Sequence, residues 1–236
     1  MTSPQQNHPI ARTGLALTSG VLLALASLGA CNSNPASAVD AAAVPVDGGA
    51  DGGPASAKTF VVPLSATGPD RFYGVAYDAQ GNFYATGQVA DSTDASADYA
   101  TVVAKFKPTG ELDPSFGSGG WVRRNVAVGT TGELFRGIVV QSTGKIVVSG
   151  TVEHAGATDA RDRDIALLRF NPDGTKDPTF GTDGVVILDL SAGVVNGSGF
   201  AADSAWGLER YPDDRLVVSG GQVRAGGTDT DFVLVR

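Results

Sequence analysis

The sequence predicts an all-β protein built from small antiparallel sheets that recur along the chain and stack on one another. Three observations carry that expectation. The segments Gly74–Gly87, Gly137–Gly150 and Gly207–Gly220 align without a gap, and their closing glycines lie 63 and 70 residues apart. A period of that size, made of strand-like runs and glycine turns, marks a radially repeated or stacked β architecture. Within the second unit the apolar runs Ile138-Val-Val, Ile146-Val-Val, Ile165-Ala-Leu-Leu and Val185-Val-Ile-Leu are continuous. A sheet with one wet face would alternate, so continuous β-branched runs require sheets covered on both faces. Finally, glycine is 32 of 236 residues while 42% are hydrophobic and 18% charged. No three-residue glycine period is present, which sets collagen aside, and the hydrophobic share is too high for a disordered chain.

The first thirty residues read as an address. Arg12 is their one arginine or lysine, and Gly14–Leu28 forms an apolar run interrupted by Ser and Gly. That length suits a signal-peptide core better than a membrane span, so a signal helix is expected over residues 1–30. It finishes in Leu28-Gly29-Ala30-Cys31, which resembles a bacterial lipobox: an aliphatic residue, two small residues, then the cysteine. The resemblance implies that Cys31 is lipidated, begins the mature chain and anchors it to a membrane through its acyl chains. As the sole cysteine, Cys31 also excludes an internal disulfide and any multi-cysteine metal site. Asn32, next in line, is compatible with passage to the outer membrane, and the expected location is the bacterial envelope, at the outer membrane or cell surface.

Residues 31–58 are small residues, Pro, Gly and scattered Asp, which cannot bury enough surface to order so long a segment, and a disordered tether is expected there. The repeat domain occupies 59–236. Thr59–Leu64 resembles a fourth strand arriving ahead of the first unit. Units are expected over 71–135, 136–205 and a truncated 206–236, with four strand candidates in each complete unit. In the second unit these are Arg136–Gln141, Lys145–Gly150, Asp164–Asn171 and Gly184–Leu190. Asn171-Pro-Asp-Gly174 and Lys107-Pro-Thr-Gly110 place Pro at the first corner and Gly at the exit of tight turns.

The stretch from Asp164 to Val186, with its core Asn-Pro-Asp-Gly-Thr-Lys-Asp-Pro-Thr-Phe-Gly, closely resembles the delta-sixty repeat of bacterial secreted and surface proteins. Val102 to Val122 repeats it as Lys-Pro-Thr-Gly-Glu-Leu-Asp-Pro-Ser-Phe-Gly, and the likeness extends over roughly 60–236. The resemblance implies a β-propeller-like array of four-stranded antiparallel blades. The chain supplies about two and a half repeats, the last stopping after its third strand, whereas closed propellers carry about four to eight blades. An incomplete ring is therefore expected, either a piece of a longer protein or one of two chains that associate through the open sheet edge Phe232-Val-Leu-Val.

Catalysis finds little material. His154 is the only histidine after the signal segment, and there is no Gly-x-Ser-x-Gly elbow, no His or Cys pair for zinc and no phosphate-binding glycine loop. No cofactor and no metal site is expected. The best candidates for ligand binding are the acidic residues between second and third strands. Asp91, Asp94 and Asp98 stand in unit 1, Asp159, Asp162 and Asp164 in unit 2, and Asp229 and Asp231 in unit 3. From these, Asp98, Asp162, Asp164, Asp229 and Asp231 are singled out, because alternating strands bring such loops to the rim that also carries the inter-unit connections. Turn-capping is the competing role for each.

On the opposite rim, Asp113 and Asp177 are expected to fix turns while Phe116 and Phe180 plug neighbouring units. Trp121 and Trp206, at strand starts, are expected in the core. A net charge of −8 argues against nucleic acid as a partner. Together these features imply a non-catalytic, lipid-anchored scaffold that binds a protein or glycan or builds the cell surface. The alternatives are a polysaccharide hydrolase or lyase working through rim carboxylates, and a calcium-dependent adhesion module.

Overall fold

The computed structural model describes residues 44–46, 55–57, 59–94, 97–127, 132–153, 163–191, 203–223 and 229–236. Residues 1–43, with the expected signal helix and Cys31, lie outside them, as do His154, Asp159 and Asp162. Contacts divide the chain into Met1–Asn32 and Ser33–Arg236, and only the second unit contains described residues.

Every described element is a strand. Within the segment expected to be a tether, β1 (Val44–Val46) pairs antiparallel with β2 (Ala55–Ala57). Three larger antiparallel sheets follow. The first is β3 (Asp70–Tyr77), β4 (Phe83–Ala90), β5 (Tyr99–Phe106) and β6 (Trp121–Arg124), paired in chain order. The second is β7 (Leu134–Val140), β8 (Ile146–Glu153), β9 (Arg163–Phe170) and β10 (Val185–Leu188), in the same order. The third is β11 (Ser204–Arg210), β12 (Leu216–Val223) and β13 (Thr230–Val235). β7 lies between β3 and β11, so the sheets converge on their first strands, as blades converge on an axis.

The continuous apolar runs have the cause the sequence suggests. All of β8 is buried. Ile146, Val148 and Val152 join Phe135, Ile138, Leu168 and Phe170 in a cluster with Tyr84, Val103 and Phe116 of the first unit. Val147, on the other face of the same strand, packs with Ile165, Leu167, Ala205, Leu208 and Val218 toward the third. At the end of the array β13 alternates between exposed and half-buried residues, with Phe232 and Leu234 exposed. A strand with one covered face alternates; one with two does not.

Thr59–Leu64 corrects one expectation. It forms no strand; Val62 and Leu64 instead cover the back face of unit 1 against Ala85, Ala104, Phe106, Val89 and Val102. Pro63 has no N–H to give a ladder, which disfavours strand pairing here. Trp206 is a second correction, being 53% exposed, while Trp121 is half-buried against the apolar residues of unit 1. Phe116 is fully buried, but Phe180 is only half-buried, lying under the guanidinium of Arg169 at 4.5 Å. The turn of unit 2 ending in Gly174 (φ 86°) closes over Phe116: the Gly117 N–H donates to the Asp173 carbonyl at 2.7 Å. A Cβ on Gly174 would stand 2.8 Å from the Gly117 nitrogen, so both the backbone angle and the close approach require glycine.

Candidate functional site

The rim that carries the loops between second and third strands gathers carboxylates, most of them bound to the fold's own groups. In unit 1, Asp91 pairs with Arg123 at 2.8 Å, Asp94 accepts from the Ser92 hydroxyl at 2.9 Å, and Asp98 accepts from the Asn125 amide at 2.8 Å. In unit 3, Asp229 accepts the Thr230 N–H at 2.8 Å, and Asp231 is half-buried on β13. Asp164 is buried at the start of β9. Its carboxylate lies within 4.8 Å of those of Asp189 and Asp203. By distance these three could share a cation.

Asp203 belongs to a set that sequence reading missed. Asp70, Glu133 and Asp203 each stand four residues before the aligned glycines Gly74, Gly137 and Gly207. Each carboxylate reaches back to the segment that leads into its unit and accepts two successive backbone N–H groups. Asp70 takes Leu64 and Ser65 at 2.7 and 3.2 Å. Glu133 takes Val126 and Ala127, each at 2.5 Å, and adds the Thr101 N–H at 3.3 Å. Asp203 takes Leu190 and Ser191 at 2.6 and 2.9 Å, with the Ser191 hydroxyl on its other oxygen. A charged acceptor there satisfies amides that the sheet ladder leaves unpaired at each crossing between units. The signal that could have found them is an acidic residue at one fixed position in all three repeats.

Glu133 is enclosed by its surroundings in unit 1, where Thr101 adds a third amide. At 1% exposure, burial pushes its carboxyl up to about 7, against the pull of the Ala127, Val126 and Thr101 amides, and the nearby Asp98 charge adds to the rise. Carboxyls near neutrality are what acid–base catalysis needs, but they also arise in structural networks.

On the opposite rim the paired Asp residues hold their turns as expected. Asp113 meets Lys105 at 2.9 Å, and that partner holds its carboxyl down to about 2, with help from Ser115. Asp177 meets Lys145 and Arg169, each at 2.7 Å, and sits far below the usual carboxylate range, held there by Lys145 first and then Thr179. A cleft of about 480 Å³ opens between the first two units, lined among others by Trp121, Arg123, Arg124, Phe170 and Lys176. Its cations are paired: Arg123 with Asp91, and Arg124 and Lys176 with Asp183, at 2.8, 3.2 and 2.5 Å.

Sheets of three and four antiparallel strands, converging on their first strands and repeated in one register, define a β-propeller-type repeat protein. The family model described as a domain of unknown function (DUF5122), beta-propeller, matches residues 141–180, from the turn after β7 to Phe180. Among curated proteins none matches the chain.

Proposed function

We propose that this chain is a non-catalytic, lipid-anchored β-propeller-like scaffold of the delta-sixty type, presenting a binding or architectural surface on a bacterial envelope. The observation that carries the non-catalytic reading is how the rim carboxylates are used. Asp70, Glu133 and Asp203 accept backbone amides, and Asp91, Asp113 and Asp177 are ion-paired. Carboxylates bound in this way hold a frame, whereas a catalytic pair would face a substrate-sized cavity. Support for the anchor is the Leu28-Gly29-Ala30-Cys31 motif alone.

The test has two arms. Expressed with its own leader in a bacterial host, the chain is expected in the membrane fraction, and Cys31→Ser is expected to release it; a soluble wild type contradicts the anchor. Incubated with a panel of neutral and acidic polysaccharides, the purified protein is expected to liberate no new reducing ends. Two observations favour other readings. The elevated carboxyl of Glu133 favours a hydrolase or lyase, which predicts turnover that Glu133→Gln abolishes. The Asp164, Asp189 and Asp203 cluster favours a calcium-dependent module, which predicts a melting temperature raised by calcium and returned by chelator.

A further inference from the structure

Each of the three first strands carries one β-bulge, at the same place in the repeat. Pairing with the second strand shifts register between Phe72 and Gly74, between Phe135 and Gly137, and between Ala205 and Gly207. The extra residues are Tyr73, Arg136 and Trp206. A bulge turns one side chain out of the pleat, and such residues recur beside functional sites.

The second unit shows where that side chain goes. β7 is packed by a neighbouring sheet on both sides, and Arg136 is its one exposed residue. With both faces covered, the remaining direction is off the inner edge, toward the line on which the sheets converge. Tyr73 is 41% exposed and Trp206 53%, so the equivalent side chains of the flanking units are exposed as well. Tyr73 and Arg136 are neighbours as well as equivalents. The Arg136 guanidinium lies 6.0 Å from the centre of the Tyr73 ring. A Cβ on Gly74 would stand 2.1 Å from the Arg136 carbonyl, and one on Gly137 3.0 Å from the Leu208 nitrogen, so neighbouring inner strands touch beside the bulges.

Arg136 is also unusual in its charge environment. Arg123, Arg124, Arg169, Arg210 and Arg215 each pair with an aspartate. Among the described residues Arg136 has no carboxylate within ion-pair distance, and neither has Arg71, the other arginine of an inner strand. In a chain of net charge −8, a guanidinium whose contact is the face of the exposed Tyr73 ring, and not a carboxylate, keeps its charge available to an anionic ligand.

We propose that Tyr73, Arg136 and Trp206 form a binding row on the inner edge of the array for an acidic oligosaccharide. Arg136 pairs with a sugar carboxylate through its planar two-donor fork, and the two rings stack on the apolar faces of adjacent sugars. The inference rests on the binding-scaffold reading and adds a ligand class to it. Single-stranded nucleic acid could use similar stacking, but its dense charge is opposed by the acidic protein and by the exposed Glu209 on β11.

The experiment titrates the full chain, by calorimetry and tryptophan fluorescence, with an oligosaccharide of alternating glucuronate and neutral hexose. The same oligosaccharide with its carboxyls reduced to alcohols and a thymidine oligomer are the comparisons. The charged sugar is expected to bind at least about tenfold more tightly than the reduced one, the step a two-donor charged contact provides. Arg136→Ala is expected to erase that difference, Arg136→Lys to restore part of it, and Trp206→Ala to weaken both sugars and remove the fluorescence change, all with the melting temperature unchanged. Equal binding of the two sugars, no binding of either, or tighter binding of the thymidine oligomer overturns the proposal. Cleavage of the sugar in the same mixture would instead sink the non-catalytic reading and leave the row as its binding site.

Discussion

The carboxylate of Asp203, just ahead of β11, accepts the backbone N–H of Leu190, just past β10, at 2.6 Å. The same link is made by Glu133 to Val126 and by Asp70 to Leu64. Blade-to-blade crossings in a repeat array leave amides outside any ladder, and one acidic residue per unit answers that need at each described crossing.

Asp203→Ala should therefore cost about 1–3 kcal/mol of unfolding free energy, because it leaves two backbone amides and a hydroxyl without their acceptor. Asp203→Asn keeps one acceptor oxygen and should cost clearly less. Chemical denaturation of the two variants checks the order. Equal, negligible losses would show that water replaces the carboxylate without penalty.

Asp214 stands where the other units have the turn glycines Gly81 and Gly144, and it adopts the same left-handed backbone at φ 66°. The strain is tolerated because its side chain reaches the turn of unit 2, accepting the Ser142 N–H at 2.9 Å and the Ser142 hydroxyl, and meets Arg210 at 2.9 Å. Asp214→Gly relieves the backbone, worth about 1 kcal/mol, but gives up these bonds. The expected result is a lower melting temperature for Asp214→Gly and a near-native one for Asp214→Asn, which tolerates the backbone and keeps an acceptor.

Glu133 gives a pH dependence of defined sign. Its carboxyl titrates near 7 in the fold and near 4.5 in the unfolded chain, so the folded state binds the extra proton between those values. Stability from this group is complete below pH 4.5 and is lost as pH rises through 7, by at most about 3.5 kcal/mol at roughly 1.4 kcal/mol per pKa unit. Melting temperatures across that window should fall for the wild type and stay flatter for Glu133→Gln.

Phe116 and Phe180 occupy equivalent positions in different surroundings. Phe116 is enclosed between units 1 and 2, and Phe116→Ala should cost about 3–5 kcal/mol. Phe180 is half-buried under Arg169, so Phe180→Ala should cost less than half as much. A loss at Phe180 equal to that at Phe116 would mean that a further element covers it.

The repeat, the strand content and the two-sided burial of the middle unit were legible because each rests on local pattern: Ile146-Val-Val and Ile165-Ala-Leu-Leu name their environment directly. Trp206 was misplaced because a bulge adds one residue to the strand, and a single-residue shift moves a side chain to a different face. Thr59–Leu64 has strand composition, but its packing against Ala104 and Val102 depends on residues forty positions away. Aspartates that cluster in sequence mark the loops of the rim, yet Asp164 meets Asp189 and Asp203, which only the fold brings near. The linking carboxylates were hidden for the opposite reason, one per repeat with no local neighbour to draw notice.

Hydrogen exchange at the Leu190, Ser191, Val126 and Ala127 amides tests most directly whether successive units are joined by these carboxylates. All four amides should be protected in the native protein, and Asp203→Ala should expose Leu190 and Ser191 while Val126 and Ala127 stay slow. Exchange at all four at the rate of open loops in the wild type would contradict the account.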